Sequence, residues 1–197
     1  MRRCALLLIG ALALAGAPGP AAAQPRPASL AGPLLVDQNG RPITEARFAG
    51  RLRLLVFGYT HCPDICPTTL ATVTAALDAL PAETAAQIVP VFVAVDPARD
   101  APATLRAYLD AFHPGFVGVT GPVAAIDDLA WTHGVVVIRH PDEGGGTYRV
   151  DHTADLFLTG RDGTVLARLP HTLAPEVLAA RLRAAVAETV AKPSAPE

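Results

Sequence analysis

The sequence predicts an α/β domain, a central mixed β-sheet flanked by helices on both faces. Three observations lead there. Short apolar runs alternate with segments whose apolar residues recur at steps of three and four. Clusters of Gly, Pro and Asp separate them. The stretch FGYTHCPDICP at residues 57–67 places two thiols where a strand gives way to a helix. With 197 residues, 51% hydrophobic and 17% charged, the chain is long enough for one ordinary core and too apolar to be disordered.

The elements follow in order. Residues 1–23 read as a secretory signal peptide: Met1-Arg2-Arg3 is basic, 5–15 is apolar, and Ala21-Ala22-Ala23 is a small-residue cleavage pattern. The apolar run is well short of the roughly 20 residues that span a bilayer. Left uncleaved, it would serve as an anchor. Residues 24–33, rich in Pro and Ala, make a flexible linker. Residues 34–43, with Asn39-Gly40 inside, are expected to add an N-terminal β-hairpin.

Residues 52–59 (LRLLVFGY) form a buried strand. Leu70, Val73, Leu77 and Leu80 lie on one face of a helix over 67–80, stopped by Pro81. Residues 88–95 (IVPVFVAV) are a second buried strand, with Pro90 expected near its start, where a missing donor matters least. A helix over 104–112, a strand over 116–120, a helix over 122–132 and a β-branched strand over 135–138 come next. Gly160-Arg161-Asp162-Gly163 turns a hairpin between 155–159 and 164–169, and a helix over 174–191 closes the domain. Residues 192–197 are a polar, disordered tail. The order β-α-β-α-β-α, then a hairpin and a last helix, with a dithiol at a strand-to-helix junction, fits the thioredoxin-like fold over residues 34–191.

Charge excludes one class of partner. Cleavage would remove two of the 16 basic side chains and none of the 18 acidic ones, deepening the formal charge from −2 to −4. No basic run interleaved with aromatics exists, so nucleic acid is not an expected ligand. Cleavage also removes Cys4, leaving Cys62 and Cys66 as the only thiols. In an oxidising compartment such a pair forms a disulfide or is kept reduced for a purpose.

Three readings of Cys62-x-x-x-Cys66 compete. As a staple it would contribute about 2 kcal/mol, little for a domain with a full core. As a redox dithiol it would gain from Pro67. A proline in the first helical turn places Cys66 near the N-cap, where free N–H groups and the helix dipole favour thiolate. As a metal clip it offers soft ligands suited to Cu(I) or Zn, and then requires a third ligand.

The candidates for that ligand are His61, His113, His133, His140, His152 and His171. His152 is the best placed. It immediately precedes the first strand of the late hairpin, and in thioredoxin-like folds the segment leading into that strand packs on the dithiol helix. A proline usually stands there, but this chain has none between Pro141 and Pro170. His61, beside Cys62, reads as solvent-facing.

GYTHCPDICP at 58–67, VDP-x-RD at 95–100 and Y-x-VDH…LFL…G at 148–160 together resemble the Sco/SenC family of copper-binding assembly factors. The resemblance spans roughly residues 34–190. It implies a thioredoxin-like domain with Cys62, Cys66 and His152 as metal ligands, copper as the ion, and a periplasmic or membrane-tethered location. It implies as partners a copper donor and cytochrome c oxidase subunit II or another copper protein, with the chain assembling the oxidase's copper centre. Asp96 resembles a family position near the site, although it also reads as a turn-former. A periplasmic thiol-disulfide reductase, keeping the copper-site cysteines of an oxidase subunit reduced, would use the same dithiol without a metal role for His152. A peroxiredoxin-like peroxidase would use Cys62, but Thr60-His61-Cys62 has the wrong spacing for it.

Overall fold

The computed structural model describes Leu30 and residues 34–141 and 148–191. The signal peptide expected at 1–23, the linker apart from Leu30, and the tail at 192–197 lie outside the described residues. The strands are β1 (Val36–Asp37), β2 (Leu52–Gly58), β3 (Ile88–Ala94), β4 (Val117–Thr120), β5 (Val137–Arg139), β6 (Val150–His152), β7 (Leu156–Thr159) and β8 (Val165–Leu169). The helices are α1 (Ile65–Asp78), α2 (Ala82–Ala85), α3 (Pro102–Leu109), α4 (Val123–Thr132) and α5 (Pro175–Ala191).

Six strands form one mixed sheet in the order β1-β4-β3-β2-β7-β8, with β2, β3 and β4 parallel and the other pairings antiparallel. The central strands are apolar at nearly every position because helices cover both faces. Leu54 and Val56 of β2 face one core, with Leu70, Val73 and Leu77 of α1, Leu105 of α3 and Leu178 and Leu182 of α5. Leu55 and Phe57 face the other, with Ile126 and Leu129 of α4 and Leu30 from the expected linker.

The hairpin expected at 34–43 is present in compact form. Val36 bridges Pro42 across the Asn39-Gly40 turn, where Gly40 takes φ 72°, and β1 adds to the sheet beside β4. The other expected strands and helices fall within a few residues of expectation, whereas α2 and β6 were not expected from the sequence.

Pro90 is a correction. It is the third residue of β3, a central strand, rather than its start. The register explains why it is tolerated. Leu52 N–H donates to Gln87 O and Val95 N–H to Gly58 O, so odd-numbered residues of this run bond to β2. The nitrogen of Pro90 therefore faces the β4 side, where pairing begins only at Val91 with Val117. No ladder bond is lost.

β5 and β6 form a separate two-stranded sheet that pairs Val137 with His152. It is fastened to the body by side chains. Arg139 donates from Nη2 to Val95 O and to Asp127 Oδ1, both at 2.7 Å. This small sheet delivers His152 to the dithiol.

Candidate functional site

α1 starts at Ile65, with Asp64 at its N-cap, two residues earlier than the proline implied. Pro67 is tolerated at the third helical position because the first turn's N–H groups have no intrahelical acceptor anyway. The shift changes the roles of the two thiols. Cys66, at the second helical position, turns inward and is 2% exposed, whereas Cys62 stays half-buried on the loop. Cys62, not Cys66, receives the helix end: the Cys66 N–H donates to Cys62 Sγ at 3.4 Å. The expected lowering of the Cys66 pKa is therefore overturned. Burial pushes its thiol well above the ordinary range, and the hydrogen bond with Cys62 adds to the rise.

Gly58 makes room for the buried sulfur. A Cβ at this position would stand 3.0 Å from Cys66 Sγ and 2.7 Å from Phe92 Cε2. The last residue of β2 is thus glycine because sulfur and an aromatic ring already occupy the space.

His152 does face the dithiol, with its Nε2 3.6 Å from Cys66 Sγ. Its Nδ1 is 3.0 Å from the Thr153 carbonyl, which only accepts, so Nδ1 carries the proton and the Nε2 lone pair points at the sulfur. The ring stands edge-on to Tyr59, centroids 6.0 Å apart. Burial holds its pKa below the usual histidine value, which keeps the imidazole neutral. Thr153 anchors this corner by donating its N–H to Val136 O and accepting from Val136 N–H at its hydroxyl. Tyr59, Cys62, Pro63, Ile65, Asp151 and His152 line much of a cavity of about 290 Å³ open to solvent.

The three expected ligands are close without closing on one point. Cys66 is the common neighbour of Cys62 and His152. Among the described residues, no three His, Cys, Asp or Glu side chains stand close enough to enclose a metal ion as they lie. Asp151 turns outward, where hydrogen bonding to His140 holds its carboxyl below the usual range.

Asp96 does more than end a strand. Its carbonyl accepts the Arg99 and Asp100 N–H groups, forming the expected turn. Its fully buried carboxylate also pairs with Arg99 and accepts the Tyr148 hydroxyl. Arg99 lies over the Tyr148 ring at 3.8 Å and the Tyr59 ring at 5.8 Å. One carboxylate therefore ties the end of β3 to the segment that leads into His152. Asp100, also fully buried, accepts the Thr60 hydroxyl at 2.6 Å and the Thr60 N–H at 3.1 Å, fixing the turn before Cys62. Burial raises the Asp100 pKa. Sequence reading gave Asp100 no role, although it closes the VDP-x-RD motif at 95–100.

A family model described as SCO1/SenC matches residues 23–187. An SCO2-like protein of Rickettsia conorii is 39% identical over 133 residues, 67% of this chain and 64% of that protein. The chain thus spans slightly less than two thirds of that relative. A structure of Bradyrhizobium japonicum ScoI with copper bound has a TM-score of 0.70 at 38% identity, covering 79% of this chain and 99% of that one. Yeast Sco1 with copper bound gives 0.72 at 30% identity, covering 84% of this chain and 92% of that one.

Proposed function

The chain belongs to the SCO1/SenC family, and from that premise we propose that it is a periplasmic copper carrier. Its cargo is held by Cys62, Cys66 and His152 and delivered to the copper centre of cytochrome c oxidase. The observation that carries this is the 3.6 Å approach of a neutral imidazole nitrogen to the Cys66 sulfur, with a second thiol one turn away. Two soft sulfurs and one imidazole are a donor set for Cu(I). The backbone carbonyl holding Nδ1 is the outer support that ligating histidines require. Copper-bound relatives at 38% and 30% identity support the same cargo.

Loading would turn the Cys62 side chain toward the Cys66–His152 pair and release the thiol protons to water. Three donors leave room for a partner's thiol, so copper leaves by ligand exchange. Oxidation to a Cys62–Cys66 disulfide removes both anionic donors and blocks loading.

The test is a competitive Cu(I) titration of the reduced protein. His152→Ala and Cys66→Ser are each expected to weaken binding by 10-fold or more, the scale of losing a ligand or its support. Wild-type affinity in either variant rejects the three-donor site. The half-buried Cys62 beside a buried Cys66 also suits a dithiol that attacks with its outer sulfur and resolves with its inner one. Metal-free protein that rapidly reduces a disulfide substrate would favour that second reading.

A further inference from the structure

The three donors sit on two separate supports. Cys62 and Cys66 belong to the loop and helix that follow β2, whereas His152 rides on the β5–β6 sheet. The His152 Nδ1 bond to the Thr153 carbonyl fixes the ring only against its own chain. Arg139 and Tyr148 fasten the small sheet to the body, but through Val95 O and Asp96 rather than through the imidazole.

Tyr59 touches both supports. It follows Gly58, the last residue of β2, and opens the dithiol loop, where its carbonyl accepts the Cys62 N–H at 3.2 Å. Its ring stands at 86° to the His152 ring, with centroids 6.0 Å apart. Its hydroxyl faces the backbone N–H of Val150, two residues before His152. The Arg99 guanidinium lies 5.8 Å from the Tyr59 ring centroid, and Asp96 in turn holds Arg99. At 5% exposure Tyr59 has little freedom to swing out. Burial also raises its pKa, so the phenol stays protonated and is no anionic ligand itself. Core filling explains the burial. It does not require the edge-on meeting with the imidazole, which is an arrangement that aromatic quadrupoles favour.

We infer that Tyr59 is a positioning residue for copper: its ring holds the His152 imidazole over the dithiol and so joins the two halves of the donor set. This rests on the copper-carrier reading. With the ring in place, Nε2 stands 3.6 Å from Cys66 Sγ, and an ion on the sulfurs gains its third donor without a search. Without the ring, His152 follows the motion of the small sheet, and copper is left to the two sulfurs for more of the time.

The experiment is a double-mutant cycle on Cu(I) affinity, read by competition with bicinchoninate in reduced protein. Tyr59→Leu is expected to weaken binding about 10-fold, the scale for loss of a group that supports a metal-ligating histidine. Tyr59→Phe keeps the ring and should stay close to wild type. In a His152→Ala background, Tyr59→Leu should cost no further affinity, because the group it positions is gone. A tenfold loss repeated in that background overturns the inference, since Tyr59 would then act through the sulfurs or the fold. Wild-type affinity in Tyr59→Leu also overturns it, as does a Tyr59→Phe variant as weak as Tyr59→Leu. Should Tyr59→Leu fail to fold, Arg99→Lys takes its place in the cycle. It keeps a cation for Asp96 but removes the planar guanidinium from the ring. A loss of affinity that vanishes without His152 is again expected, and an unchanged affinity again overturns the inference. Wild-type protein that binds no copper rejects the carrier reading itself, before any Tyr59 variant is compared.

Discussion

Replacing Gly58 with alanine tests the link between core packing and the dithiol. The backbone at Gly58 does not take a positive φ, so alanine is conformationally allowed. The obstacle is space. The new methyl would meet Phe92 Cε2 at 2.7 Å, Cys66 Sγ at 3.0 Å and Phe92 Cζ at 3.1 Å. Phe92 and Cys66 are both buried, so neither withdraws freely, and the ring and the sulfur must both shift. Overpacking of this kind costs about 1–3 kcal/mol, against a gain of about 0.4–1 kcal/mol from restricting the unfolded chain. Mid-range values leave a net loss of about 1 kcal/mol, which lowers the melting temperature by about 2–4 °C in a domain of this length. Gly134→Ala is the matched control. Gly134 has φ 67° with nothing within 4 Å of a Cβ, so its cost of about 1–2 kcal/mol is backbone strain. Both variants should melt early, but only Gly58→Ala should alter Cys66 alkylation in the native state and weaken copper binding. An unchanged or higher melting temperature for Gly58→Ala refutes the packing argument. Equal effects of both variants on Cys66 refute its connection to the site.

Two further outcomes follow from buried polar groups. His133 is buried against Phe57 and Phe157, donates Nδ1–H to Leu129 O at 2.8 Å, and has its pKa depressed by burial. The unfolded chain therefore binds a proton that the folded chain resists. Stability is full above the ordinary histidine pKa of about 6.5 and is lost as pH falls below it. Thermal melts between pH 7 and pH 5 should show that fall, shallower in His133→Phe, and parallel slopes would reject the assignment. The Tyr108 hydroxyl is buried with no hydrogen-bond partner among the described residues. Tyr108→Phe should accordingly be neutral or stabilising by about 1 kcal/mol in urea unfolding, and a clear loss of stability would contradict this.

Much of the architecture was legible because local rules and burial agree. The two central strands announce themselves as apolar runs, and α1 by its three-and-four spacing. The dithiol and His152 were visible as motifs, and the fold brings them together. What escaped depends on long-range partners. Nothing near Asp96 in the sequence indicates that its carboxylate will meet Tyr148, 52 residues on. Nor does Arg139 disclose its bond to Val95 O. Pro67 misled about the start of α1 because a proline fits any of several positions in a first turn, and that error exchanged the expected roles of the two sulfurs. Pro90 misled because proline at the centre of a sheet is safe only when the neighbouring strand begins late, a matter of register alone.

The separate β5–β6 sheet gives the molecule a weak seam in a useful place. Brief opening of such a peripheral unit takes less free energy than unfolding the six-stranded body. Were copper held as proposed, each opening would lift His152 from the ion while Cys62 and Cys66 stayed with the six-stranded body. A carrier built this way would loosen its grip without coming apart, and the strength of the Asp96 and Arg139 fastenings would set how often it does.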